Sequence, residues 1–99
     1  MKQILTYTLF IAGALGAVTA AQADNRTRTM AANCSYCHGP DGKSRGAIPS
    51  LAGLDKGYFV QQMKDFQSGT RPAVVMQKHA LGYNDEEIEK LATWFAAIK

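Results

Sequence analysis

Cys34-Ser35-Tyr36-Cys37-His38 is the stretch on which the reading of this chain turns. On a helical turn, positions i, i+3 and i+4 share one face, so Cys34, Cys37 and His38 can present two thiols and an imidazole to one flat ligand. A Cys-x-x-Cys-His run is the pattern that fixes a c-type haem. Each thiol adds to a vinyl group of the porphyrin, and the adjacent imidazole reaches the iron. These are the only two cysteines of the chain, so the run uses its whole thiol inventory. It predicts one covalently bound haem c held by Cys34, Cys37 and His38.

Three other uses of the pair stay open on the sequence. A thioredoxin-like redox motif needs a βαβ context, and no strand pattern flanks residues 34–38. A structural zinc site wants four ligands. Cys34, Cys37, His38 and His79 are the only thiols and imidazoles available, and adjacent Cys37 and His38 on one small ion would strain tetrahedral geometry. A plain disulfide between Cys34 and Cys37 suits an exported protein.

Residues 1–23 read as a cleaved secretory signal. Lys2 is its positive end, Ile4 to Val18 is an uncharged, mostly apolar run, and Ala21-Gln22-Ala23 is a small-x-small cleavage site. The alternative is a retained anchor, for which the apolar run is short. Cleavage leaves residues 24–99 as one periplasmic domain without a membrane span. Domains below roughly 80 residues seldom build a sufficient core without a staple, and a covalent haem is such a staple. The chain carries 11 basic against 8 acidic residues. Loss of Lys2 trims that small excess, and two haem propionates would bring it near zero. A nucleic-acid binder should show a marked basic face; no such excess is present, and there are no internal repeats.

The fold class expected is all-α: three main helices and loops wrapped around one haem. The first helix is placed at about Arg26–Cys37, with Asp24 or Asn25 as its cap. Gly39-Pro40-Asp41-Gly42 breaks it, and a long irregular loop runs on through Gly46, Pro49 and Gly53 to pack on the haem edge. The second helix spans about Lys56–Ser68, capped by Asp55 and stopped by Gly69. Phe59, Met63 and Phe66 share its apolar face. The third opens with an Asn84/Glu87 capping box and a Tyr83/Ile88 staple. Its stripe is Ile88, Leu91, Ala92, Phe95 and Ile98.

A haem held by His38 has a second axial face, and what fills it decides the function. Met30 lies one turn before Cys34 and should not reach that face. Met63 sits on a core stripe, where methionine is usually filler. Met76 lies between Pro72 and the last helix, in a segment able to fold over the haem. His79 and an open position are the other candidates. A soft, neutral thioether favours ferrous iron, and His/Met ligation raises the potential, so Met76 is the expected ligand.

Taken together, these residues resemble the class I cytochromes c: Cys34-x-x-Cys37-His38-Gly39, the Pro-Ser-Leu-Ala-Gly-Leu segment at 49–54, Met76, and a terminal amphipathic helix. The resemblance implies that the first and last helices cross beside the haem. It also implies that the Pro49 carbonyl accepts a hydrogen bond from His38 Nδ1, fixing its tautomer. Phe66-Gln67-Ser68-Gly69, Val75-Met76 and Gly82-Tyr83 are similar to the cytochrome subunits of flavocytochrome c sulfide dehydrogenases, in a one-haem form.

The function this implies is electron transfer, Fe(III)/Fe(II), with redox proteins as partners, among them a flavoprotein sulfide dehydrogenase subunit. The chain would then be no enzyme by itself. Alternatives are a free diffusible cytochrome of a respiratory or photosynthetic chain, and a haem enzyme or gas sensor with an open sixth site. Lys43, Arg45, Lys56, Arg71 and Lys78 are candidates to rim the haem and steer an acidic partner, or else scattered solvated charges. Tyr58, Phe59, Phe66, Trp94 and Phe95 are expected to pack on the haem.

Overall fold

The computed structural model describes residues 20–99, with side chains from Asn25 onward. Most of the expected leader, residues 1–19, lies outside the described residues. In chain order the elements are α1 (Ala20–His38), a 3-10 turn (Pro40–Gly42), α2 (Lys56–Ser68), α3 (Val75–Leu81) and α4 (Asp85–Ala96). The described residues are thus all-α, as expected, with one more helix than the sequence pattern suggested.

α4 is built by its own sequence. Asn84 accepts from the Glu87 N–H at 2.8 Å while Glu87 accepts from the Asn84 N–H at 3.0 Å, so the expected capping box satisfies two helix-end donors reciprocally. Asp85, Glu86 and Glu87 occupy the first turn, where the helix dipole favours negative charge. Ile88, Leu91, Ala92 and Phe95 are wholly buried, each large one contributing roughly 1.5–3 kcal/mol.

α2 lies on α4 and also contacts α3. Its ends are those expected: Asp55 accepts from the Tyr58 N–H at 3.0 Å, and Gly69 closes the helix. Phe59, Met63 and Phe66 are its buried face. Phe59 stacks on Phe95 of α4, with ring centroids 5.9 Å apart.

α1 also packs on α4, and Arg26 bonds Glu87 at 2.9 Å across that crossing. Its start differs from expectation: Asp24 and Asn25 lie inside the helix rather than capping it. Thr27, Met30, Ala31 and His38 are its buried residues, and the backbone stays helical through Asn25, whose carbonyl accepts from the Thr29 hydroxyl at 2.9 Å.

Candidate functional site

The site begins where α1 ends. Cys34 is half-buried and Cys37 exposed, and their sulfurs are not joined; His38 is buried. The Gly39 N–H continues the helical pattern to the Ser35 carbonyl at 2.9 Å, and the chain then turns sharply. Gly39 has φ 96°, and a Cβ there would lie 2.1 Å from the Lys43 carbonyl oxygen. Only glycine allows that reversal. Gly42, at φ 72°, lies against Phe95 so closely that a Cβ would sit 2.8 Å from the ring. The turn is thereby seated on α4.

From this turn a braced loop carries the chain back over His38. The Gly42 carbonyl accepts from the N–H groups of Leu51 and Ala52 at 2.7 and 3.1 Å. Ser44 is tied to Ser50 through its N–H and to the Ile48 carbonyl through its hydroxyl. The loop delivers the Pro49 carbonyl to 2.6 Å from His38 Nδ1. A carbonyl only accepts, so Nδ1 carries the proton and Nε2 keeps its lone pair. An imidazole in that state is ready to ligate a metal, with its ring orientation fixed from behind.

Cys34, Cys37, His38, Pro49 and Met76 all line one cavity of about 520 Å³. Phe59, Met63 and Phe66 of α2 form part of its wall, and Leu51 and Leu54 continue the apolar lining. Met76 reaches it from the first turn of α3, the helix that the sequence pattern did not suggest. It was hidden because Val75–Leu81 is too short to display a period, and because β-branched Val74 and Val75 follow Pro72.

Of the other axial candidates, Met63 and His79 also line the cleft. Met63 is packed into the core beside Phe59 and Phe66, whereas His79 is exposed. Met30 is buried between helices and does not line the cleft.

One expectation needs correcting. Trp94 and Phe95 do not line the cleft; Phe95 is committed to the α2–α4 seam and to Gly42. Of the five cations read as either rim candidates or scattered solvated charges, only Arg71 lines the cleft. Lys56 instead pairs with Glu89 at 3.1 Å, and Arg45 lies in a separate open groove beside Tyr36. Arg71 is held in place: its guanidinium lies 4.6 Å over the Phe66 ring and donates to Gln62 Oε1 at 2.6 Å. Its fixation could not be read from sequence, because Gln62 looks like a solvated position of α2.

The donor set fits a haem. Two thiols, an oriented imidazole and a thioether from another helix all line one largely apolar cleft. Arg71 is the one permanently charged side chain of the lining and can face a carboxylate. Burial pushes the Cys34 thiol up to about 11, the opposite of the depressed value a redox-active cysteine needs. The zinc alternative finds no support: among the described residues no three Cys, His, Asp or Glu side chains gather as metal ligands.

A family model described as cytochrome c oxidase, cbb3-type, subunit III matches residues 21–95. The chain belongs to this family of c-type cytochrome domains. Among its relatives is the cytochrome subunit of sulfide dehydrogenase from Chlorobaculum tepidum, 39% identical over 76% of this chain and 68% of the relative. A thiosulfate dehydrogenase electron acceptor of Stutzerimonas stutzeri is 40% identical over 66% of this chain and 31% of its own length. Cytochrome c4 of Pseudomonas aeruginosa is 32% identical over the whole chain, which spans half of that protein. This c-type cytochrome domain therefore carries a covalent haem c and serves electron transfer; by itself it is not an enzyme. Its partners are redox proteins. No helix among the described residues is long and apolar enough to cross a membrane.

Proposed function

We propose that this cytochrome is a one-electron carrier with His38 and Met76 as axial ligands and Cys34 and Cys37 as thioether anchors. In this reading it is exported behind the leader at 1–23, leaving 24–99 as the periplasmic domain. Its electron donor is a dehydrogenase flavoprotein that oxidises sulfide. The observation that carries the ligand reading is the convergence of His38, with Nδ1 tied to Pro49, and Met76 on one apolar cavity.

When bound, the haem iron supplies Fe(III)/Fe(II) chemistry. Every other contribution comes from the chain. Cys34 and Cys37 fix the plane of the group to α1. Pro49 holds His38 in the one tautomer that leaves Nε2 free, so the imidazole need not reorient between oxidation states. Met76 offers a neutral, soft sulfur that favours the ferrous form and raises the potential. Phe59, Met63 and Phe66 exclude water, and a dry surrounding penalises the more highly charged state. Arg71 balances carboxylate charge at the rim.

The partner reading draws on the likeness to the sulfide dehydrogenase subunit, and it is tested by isolation from the native organism. A stable complex with a flavoprotein that reduces this haem on addition of sulfide supports it. Recovery of the native protein as a free monomer that sulfide-reduced flavoprotein fails to reduce contradicts it. The ligand reading is tested separately. Met76→Ala should bind carbon monoxide rapidly and lower the midpoint potential, while Met63→Leu should do neither.

A further inference from the structure

The helix that carries Met76 is the least self-sufficient element described. α3 has seven residues, well short of the length at which a helix stands alone in water. Its N-cap, Val74, is itself in helical conformation and offers no side-chain cap. Val74 and Leu81 are 76% and 62% exposed and do not line the cleft, so part of its apolar surface faces water. Inward, it buries the methyl of Ala80 completely and part of Met76.

Against that weak helix stands one side chain from the last turn of α2. Gln67 is partly buried, and its Nε2 lies 2.8 Å from the Ala80 carbonyl and 3.1 Å from the Tyr83 carbonyl. A primary amide has two N–H bonds, so one group serves both carbonyls, one on each side of the Gly82 stop of α3. α2 is itself fixed, through Phe59, on the Phe95 ring of α4. The amide therefore passes the rigidity of the α2–α4 seam to the segment that carries Met76.

We propose that Gln67 is a positioning residue whose side-chain amide clamps α3 and so sets how firmly Met76 is held at the iron. This rests on the reading of Met76 as axial ligand. A thioether is a weak ligand, so its occupancy depends on how well the protein presents it. Removing the amide takes the Gln67 donor from the Tyr83 carbonyl and leaves the Ala80 carbonyl with the Tyr83 N–H at 3.2 Å. That loss is large enough to change an opening equilibrium by roughly tenfold. In the sequence Gln67 stood out only as part of the Phe66-Gln67-Ser68-Gly69 resemblance, since its acceptors are 13 and 16 positions along the chain.

The test uses the haem-loaded protein with Gln67→Met, which keeps length but has no donor, and Gln67→Glu, which donates only when protonated. The readouts are the long-wavelength absorption band of methionine-ligated ferric haem, the pH at which it is lost, and the rate of cyanide binding. Gln67→Met should lose the band at lower pH than the parent and bind cyanide about tenfold faster. Gln67→Glu should keep the band in acid, where its carboxyl donates to a carbonyl, and lose it as the carboxylate forms and faces two carbonyl oxygens. That comparison is internal to one protein, so it decides even if Gln67→Met fails to accumulate. Variants with the parent's band, pH of loss and cyanide rate overturn the clamp. A parent protein without the band overturns the Met76 reading instead.

Discussion

The two walls that carry His38 and Met76, the proposed axial ligands, are built in opposite ways. On the His38 side, a long helix runs straight into a glycine-dependent turn seated on Phe95, and a braced loop returns Pro49 to the imidazole. Each of these contacts constrains the next. On the Met76 side, two turns of helix with exposed Val74 and Leu81 at their ends are held by buried Ala80, partly buried Met76 and the Gln67 amide. The difference matches the chemistry. In the proposed ligation the imidazole sits beside the covalent anchors and keeps one tautomer, which suits the rigid part. The thioether would need only to be presented, and ligand exchange would start there.

Breaking the rigid wall should have the largest effect. Phe95→Ala removes the ring that supports both Gly42 and Phe59 and should cost about 4 kcal/mol of stability, measured by urea unfolding of the ferric protein. Gly42→Ala puts a methyl against that ring at a left-handed φ and should cost about 3 kcal/mol by the same measurement.

Glu87 sharpens the comparison through pH. The Asn84 N–H and then the Arg26 guanidinium hold its carboxyl below the usual range. The unfolded chain thus takes up a proton at higher pH than the folded one. The contribution is complete above the ordinary glutamate value and is lost as pH falls through the lowered one. Glu87→Gln should flatten the acid limb of a stability-versus-pH curve and leave its slope above neutrality unchanged. At the other wall, Val74→Thr alters an exposed side chain outside the cleft and should shift stability by less than about 0.5 kcal/mol. A larger loss would mean that α3 is better packed than its exposure indicates.

Legibility in the sequence followed the range of the interactions. α4 was readable because Asn84 and Glu87 form its start within one turn, and α2 because Asp55 and Gly69 mark its ends locally. The start of α1 was misread because Asp24 and Asn25 are good caps by type, yet the helix continues through them from Ala20. α3 was missed because seven residues are too few to show a period and its support, from Ala80, Met76 and the Gln67 amide, is tertiary. In the cleft, Cys34, Cys37 and His38 announce themselves by spacing. Pro49 came only through family resemblance, because no local pattern says which carbonyl a histidine will find eleven positions on. The fixation of Arg71 by Gln62 and Phe66 needed the folded chain, as did the assignment of Phe95 to the seam rather than the cleft.

The central claim is that His38 and Met76 face each other across one haem. Proton NMR of the reduced, methyl-labelled protein tests it most directly, since a methionine bound to ferrous haem iron has its methyl signal driven far upfield by the porphyrin ring current. One such signal is expected among Met30, Met63 and Met76 of the domain at 24–99, abolished by Met76→Leu and retained in Met63→Leu. A signal that survives Met76→Leu, or none in the parent protein, would contradict it.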